Sequence, residues 1–145
     1  WGDLATTAPY GQVEEPFDLC GLAEAAGATF VARGTAADIG PIEELMRLGI
    51  QHKGFSFIEA VVPCPTEYGK RNASGGVLAM LDDERARSVS VEDARRMKPE
   101  ELGDKIVTGI LRHDSNRPEY QRSCSAIVER AQAEAAREAG QEEAG

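Results

Sequence analysis

The apolar and polar positions form their clearest pattern between Asp38 and Gly54. Apolar or small residues recur there at spacings of three and four: Ile42, Leu45, Met46, Gly49 and Ile50. This spacing places them on one face of an α-helix, and we expect that whole face to lie in the core. Asp38 is a suitable N-cap, and His52 brings positive charge to the end of the helix, where the helix dipole is negative.

Two short apolar runs flank this helix and have the composition of β-strands. They span residues 28–33 and 55–62, and the second is almost continuously apolar, so we expect it to be buried on both faces. An earlier helix is predicted within the stretch 14–27, with Pro16 near its first position and Gly27 just beyond its end. The order helix–strand–helix–strand predicts an α/β fold with a parallel sheet. Two strands are too few to close such a domain.

The pattern changes after Tyr68. A short helix is predicted over residues 77–88, and Ser90 and Asp93 have the spacing of a helix capping box. Residues 106–111 have the composition of a further strand, although Gly109 weakens that prediction.

A final helix is expected from about Ser123, and its Ala- and Glu-rich end is predicted to be disordered because few apolar residues remain to dock it. We therefore divide the chain into three parts. Residues 1–68 form the α/β part, residues 69–128 form an extension that packs on it or on a partner subunit, and residues 129–145 form a tail that is helical and then disordered.

Composition and charge narrow the functional classes. The net charge of −9 argues against nucleic-acid binding, which needs clustered Lys and Arg. No apolar run reaches the roughly 18 residues of a membrane-spanning helix. The 3 cysteines are widely spaced and contain no CxxC pair, which favours a reducing cytoplasm over a disulfide framework. The chain starts on Trp1 without a charged and then apolar leader, so we expect a piece of a longer protein and no signal peptide.

Cys64 is the residue most suited to chemistry. It follows the second predicted strand and stands between Pro63 and Pro65. Sites of open α/β sheets gather at the carboxyl ends of strands, and flanking prolines restrict the backbone that presents the thiol. Such a thiol either binds a soft metal or an iron–sulfur cluster, or packs as a small buried apolar residue. Lys70 and Arg71 nearby are either solvated loop charges or a site for an acidic partner or phosphate.

Other polar residues have simpler explanations. Cys20 lies within the first predicted helix and Cys124 begins the last, so we expect both to be packing residues. Neither His52 nor His113 has a Cys or carboxylate at metal-ligand spacing. Arg33, at the end of the first strand, either has a functional role or forms an ion pair.

Three stretches resemble one protein family. PYGQVEEPFDLCGLAEAAGATFVARGT, GIQHKGFSFIEAVVPCPTEYGKRN and NRPEY are similar to the later portion of the beta subunit of 2-oxoacid:ferredoxin oxidoreductases, particularly the 2-oxoglutarate branch. The resemblance covers roughly residues 5–125. It implies the C-terminal part of a thiamine-diphosphate-binding parallel-sheet domain with a helical C-terminal extension.

The resemblance also implies an activity and its partners. Such enzymes decarboxylate a 2-oxoacid on thiamine diphosphate and Mg²⁺, pass electrons through [4Fe-4S] clusters to ferredoxin, and transfer the acyl group to coenzyme A. Their beta subunit works with an alpha subunit and, in some members, with gamma and delta subunits. By this resemblance Cys64 matches the last cysteine ligand of a [4Fe-4S] cluster, and Thr6 and Thr7 lie at the rim of the thiamine site.

The sequence also departs from the family pattern. It contains neither the early CxxC, nor the third cysteine, nor the GDG…N motif that binds Mg²⁺ and diphosphate. We therefore expect no catalytic residue and no bound cofactor in this chain alone, and no activity without the rest of the subunit. The competing hypothesis is a non-catalytic interaction module, or a truncated product, that binds a partner subunit.

Overall fold

The computed structural model describes residues 2–72 and 74–142, which contain both helices and strands. The elements are α1 (Leu19–Ala25), β1 (Phe30–Thr35), α2 (Ile39–Gln51), β2 (Ser56–Val61), a single π-helical turn (Pro65–Gly69), α3 (Val77–Arg87), β3 (Ser88–Ser90), α4 (Val91–Ala94), α5 (Pro99–Leu102), β4 (Ile106–His113) and α6 (Tyr120–Glu142). No helix in the described part of the chain is long and apolar enough to cross a membrane.

The four strands form one sheet in the order β2–β1–β4–β3. β1 pairs with β2 in parallel, and β3 pairs with β4 in parallel, whereas β4 runs antiparallel to β1. The predicted α/β class is confirmed, but the prediction of a wholly parallel sheet is wrong. The crossover argument concerned only β1, α2 and β2. β4 follows a long extension rather than one crossover helix, so that pattern carried no information about its direction.

Strand β4 includes a bulge beside β1. Val31 lies opposite Arg112 and the next residue, Ala32, lies opposite Ile110, so Leu111 is an extra residue on β4. Gly109 follows in the pairing with φ +115°, a conformation that side chains with a Cβ rarely adopt. The glycine that weakened the strand prediction therefore allows the strand to bend.

Two apolar clusters lie on opposite faces of β1. On the α1 side the buried residues are Cys20, Ala23, Ala28 and Val31, with Phe57 and Leu111 packed against them. On the α2 side they are Phe30, Ala32 and Leu45, with Leu48, Ile58 and Ile110 against them. Because successive strand residues point to opposite faces, β1 contributes to both clusters and is the centre of the fold.

The predicted core face of α2 is only partly correct. Leu45 and Gly49 are buried, but Met46 is 44% exposed and Ile50 is 84% exposed. Only the Leu45 side of the helix contacts the sheet, and no described element covers the Met46 side. Strand β2 is half-buried rather than buried on both faces, because β1 is its one partner among the described strands.

Several boundaries differ from the prediction. Helix α1 begins at Leu19, not near Pro16, because the Asp18 carboxylate accepts the Gly21 backbone N–H at 3.1 Å and caps the helix. Helix α3 and strand β4 are confirmed, whereas β3 had no prediction. Ser90 caps α4 as expected, since its hydroxyl oxygen accepts the Asp93 N–H at 3.0 Å.

The C-terminal helix α6 starts earlier than expected and runs to Glu142. The predicted disordered end includes residues 143–145, which lie outside the described residues. The division of the chain at residues 68 and 128 stays a prediction.

Replacing Gly34 by Ala is expected to destabilise the fold by about 1–3 kcal/mol, because the interface between β1 and α2 has no room for a methyl group. A Cβ on Gly34 would lie 2.8 Å from Ile42 Cγ1 and 3.1 Å from Ile42 Cβ, and Cβ cannot move without shifting the helix. Urea denaturation of the protein measures the change.

Gly40→Ala is the matched control on α2. Gly40 is exposed, and the nearest atom a Cβ would meet is Asp38 Oδ1 at 4.0 Å. Ala should stabilise the helix there by up to about 1 kcal/mol. Equal effects of the two substitutions would show that the β1–α2 contact is looser than described.

Candidate functional site

The candidate site is built around the turn that follows β2. The strand ends at Val61, and Cys64 immediately precedes the π-helical turn Pro65–Gly69 in an extended conformation, with φ −102° and ψ 97°. We call residues 64–69 the Cys64 turn. Cys64 is exposed in this chain, whereas the alternative interpretation expects a small buried apolar residue. Its predicted place beyond the carboxyl end of a strand agrees with the structure.

The first turn after Pro65 changes the acidity of the thiol. Backbone N–H groups of Glu67 and Tyr68, then the Thr66 hydroxyl, lower the pKa of Cys64 to about 7. The Thr66 Oγ1 lies 3.6 Å from the sulfur. Because donors stabilise the thiolate over the thiol, Cys64 is a partly ionised thiol at neutral pH, and the thiolate is the form that binds metals.

Cys64 lines a cleft of about 620 Å³ between the end of β2 and α3. Val61, Val62 and Pro63 form its apolar side, and α3 contributes Met80 and Glu84, among others. Glu84 is only 3% exposed, and burial raises the pKa of its carboxyl although it accepts the Ala37 N–H at 3.0 Å. Glu84 therefore anchors the loop after β1 to the wall of this cleft.

Thr6 and Thr7 occupy the tip of a small hairpin-like loop. The backbone N–H groups and carbonyls of Ala5 and Ala8 bond to each other in both directions at 3.1 Å, which leaves Thr6 and Thr7 at the two central positions of a tight turn. Both threonines are exposed. Gly2 N–H donates to the Gln12 carbonyl at 2.7 Å and closes the base. We call residues 2–12 the threonine loop.

Two side chains connect the threonine loop to the Cys64 turn and the residues just after it. The Asn72 amide pairs with the backbone of Leu4: Leu4 N–H donates to Asn72 Oδ1 at 2.8 Å, and Asn72 Nδ2 donates to the Leu4 carbonyl at 3.1 Å. The Tyr68 hydroxyl donates to Asp3 Oδ2 at 3.0 Å. Thr6, Thr7 and Cys64 therefore belong to two segments that are directly hydrogen-bonded.

Residues Tyr68 and Asn72 had no separate role in the sequence prediction. Their partners are 65 and 68 positions away, so no local pattern indicates these contacts. One signal in the sequence is that Tyr68 and Asn72 are four residues apart and follow Pro65. This spacing places both side chains on one side of a helical turn.

The other candidates have structural roles. Cys20 is 2% exposed, and burial followed by its hydrogen bond to Glu59 raises its pKa to about 12, as expected for a packing residue. Arg33 forms ion pairs with Glu59 at 2.5 Å and Asp18 at 3.2 Å, which confirms the ion-pair interpretation. Arg71 pairs with Glu67 at 3.1 Å, a contact within the same turn.

The two histidine side chains lie next to each other, a contact that no sequence pattern predicted. The ring centroids of His52 and His113 are 5.3 Å apart, and both rings contact Phe30. His52 Nε2 lies 2.8 Å from the Thr29 hydroxyl. Across residues 2–72 and 74–142, no group of three or more His, Cys, Asp or Glu side chains is arranged to hold a metal ion.

No protein-family model matches the chain. Curated relatives do match most of it. The 2-oxoglutarate synthase subunit KorB of Methanocaldococcus jannaschii is 42% identical over 134 residues, which cover 92% of this chain and 49% of the relative. The KorB subunit of Methanothermobacter thermautotrophicus is 37% identical, covering 89% of this chain and 45% of the relative.

A more distant relative belongs to the same class. The 2-oxoacid:ferredoxin oxidoreductase subunit beta of Saccharolobus solfataricus is 32% identical, covering 72% of this chain and 33% of the relative. The chain spans about half the length of the first relatives.

A solved structure has the same fold. The 2-oxoglutarate:ferredoxin oxidoreductase from Magnetococcus marinus, solved with 2-oxoglutarate, coenzyme A and succinyl-CoA bound, superposes with a TM-score of 0.68. The superposed region covers 90% of this chain and 45% of the Magnetococcus chain, at 24% sequence identity. That likeness concerns the fold, whereas the sequence similarity to the curated relatives shows that the chain belongs to the family of 2-oxoacid:ferredoxin oxidoreductase beta subunits.

Proposed function

We propose that this chain is the C-terminal part of the beta subunit of an enzyme that oxidatively decarboxylates a 2-oxoacid, with 2-oxoglutarate as the substrate. The products would be succinyl-CoA, CO₂ and reduced ferredoxin. The similarity to two subunits named 2-oxoglutarate synthase supports this substrate. On this proposal the sheet is the C-terminal part of a thiamine-diphosphate domain, and the chain alone is inactive.

The observation that carries the proposal is the exposed, partly ionised thiol of Cys64. We propose that it is the fourth cysteine ligand of a [4Fe-4S] cluster in the complete subunit. Its exposure and its lowered pKa of about 7 both fit one thiolate ligand. The remaining ligands would come from outside this chain, because the described residues form no metal-binding group.

A cluster held there would accept electrons from the thiamine and pass them to ferredoxin. The N–H groups of Glu67 and Tyr68 would stabilise the negative charge on the ligating sulfur, which is one of the ways a protein tunes cluster potential. Val61, Val62 and Pro63 would limit water on the strand side of the cleft. Thr6 and Thr7 would contribute hydroxyl groups to the rim of the thiamine site. This sequence does not contain the GDG…N motif for Mg²⁺ and diphosphate.

The exposed side of α2 supports docking of further protein. Ile39, Met46 and Ile50 are 70%, 44% and 84% exposed. In the intact enzyme we propose that the rest of the beta subunit and the alpha subunit cover such surfaces, with gamma and delta subunits present in some assemblies. The enzyme would work in the cytoplasm, without membrane or nucleic-acid partners.

The competing function, a non-catalytic module that binds a partner subunit, is less well supported. The relatives that match most of the chain are named as subunits of the oxidoreductase. The coding region upstream of Trp1 separates the two functions. An open frame with CxxC and GDG…N supports the enzyme, and a start codon just before Trp1 supports the module.

Alkylation of Cys64 should follow a titration with its midpoint near pH 7, because only the thiolate is nucleophilic. Mass spectrometry after iodoacetamide treatment at a series of pH values measures the rate. Thr66→Val should move the midpoint to higher pH, since it removes one donor to the thiolate. Cys20 is the internal control and should stay unmodified while the protein is folded. A Cys64 midpoint at the ordinary value of 9.0 would contradict the described turn.

Cys64→Ala in the complete subunit should abolish the [4Fe-4S] spectrum after reconstitution with iron and sulfide, because the cluster loses a ligand. Iron content and the electron paramagnetic resonance signal of the reduced protein measure the loss. Cys124→Ala, a partly buried cysteine on α6, is the matched control and should keep the cluster. An unchanged cluster in the Cys64 variant would disprove the ligand assignment.

A further inference from the structure

We propose that Tyr68 and Asn72 are positioning residues that hold the threonine loop at a fixed place relative to the sulfur of Cys64. The proposal rests on the function above, because it concerns the distance between the thiamine rim and the iron–sulfur ligand. It assigns a role to two side chains that neither bind the cluster nor touch the thiamine.

The Asn72 side chain pairs with the backbone of the threonine loop through two hydrogen bonds, as a neighbouring strand would. Its side-chain amide donates to and accepts from the backbone of Leu4, with distances of 3.1 and 2.8 Å. The same Nδ2 also donates to the Tyr68 carbonyl at 3.0 Å. The Asn72 amide therefore forms three hydrogen bonds, two with the backbone of Leu4 and one with the Tyr68 carbonyl. Together they fix the orientation of the amide. Leu4 is two residues from Thr6, the first residue at the loop tip.

Tyr68 acts on both sides of the connection. It lies in the turn that the Gly69 N–H closes by donating to the Cys64 carbonyl at 2.9 Å, and its hydroxyl donates to Asp3 at 3.0 Å. Movement of the threonine loop therefore displaces a ring that belongs to the same turn as Cys64. Side-chain and backbone contacts of one residue connect the two segments.

Within the described residues, these bonds are the only polar contacts between the threonine loop and the rest of the chain. Every hydrogen bond between residues 2–12 and the rest of the described residues involves Tyr68 or Asn72, and none of the ion pairs includes the loop. A single exposed hydrogen bond contributes only about 1 kcal/mol. Three bonds to adjacent residues, Asp3 and Leu4, together restrict both the position and the rotation of the loop.

The expected consequence is kinetic. In the proposed enzyme, electrons move from the thiamine to the cluster, and catalytic geometry is sensitive to displacements of about 1 Å. A threonine loop released from Tyr68 and Asn72 would leave the cluster intact and slow its reduction. This combination separates a positioning role from a purely structural one.

The test uses the complete subunit, assembled with its partner, carrying Tyr68→Phe, Asn72→Ala or both. Hydrogen exchange of the amides of residues 3–8 should become about tenfold faster in the double variant, because the bonds to the loop are lost. In a single turnover, mixing with 2-oxoglutarate should reduce the cluster about ten- to hundredfold more slowly. Iron content and the cluster spectrum should match those of the unmodified protein.

Matched controls come from the same chain. Tyr10 lies in the threonine loop and is 100% exposed, so Tyr10→Phe should change neither exchange nor reduction. Asn116→Ala removes another exposed asparagine side chain with the same expected result.

Two results would overturn the positioning role. Unchanged exchange in the double variant would show that the loop is held by other contacts, and faster exchange with a normal reduction rate would show that its position does not affect electron transfer. Failure of the proposed function gives a different result: the unmodified subunit would then hold no cluster, or 2-oxoglutarate would not reduce it.

Discussion

The turn that follows Cys64 is the constraint on which the site depends. Pro63 and Pro65 restrict the backbone on both sides, and the Gly69 N–H closes the turn by donating to the Cys64 carbonyl at 2.9 Å. Backbone N–H groups of this turn lower the pKa of the thiol. The same turn would hold the sulfur in place when it is bound to iron.

Strand β1 gives this turn a rigid base. It is buried on both faces and pairs with β2 on one side and β4 on the other. Gly34 lets Ile42 of α2 approach the strand closely. Because β2 is fixed against β1, its end, and therefore Cys64, has a defined position. The threonine loop has no such base of its own and depends on Tyr68 and Asn72.

The sequence predicted the features that depend on local pattern. Helix α2, strands β1 and β2, and the place of Cys64 after a strand follow from apolar spacing and from the two prolines, both of which act on neighbouring residues. The direction of β4 could not be predicted, because strand pairing between distant segments leaves no local periodicity. The burial of Met46 and Ile50 was predicted wrongly for a related reason: an apolar face shows that a contact is favourable but does not identify the element that provides it.

The candidate site shows the same difference between features set by local sequence and features set by contacts of distant segments. The motif around Cys64 indicated the residue, but the hydrogen bonds from Asn72 to Leu4 and from Tyr68 to Asp3 join distant segments, and no spacing rule contains them. The central claim, that this sulfur binds iron, is tested most directly by anomalous diffraction at the iron absorption edge from crystals of the complete subunit. The account predicts an iron peak bonded to Cys64 Sγ. A cluster located elsewhere, with the Cys64 sulfur unligated, would contradict it.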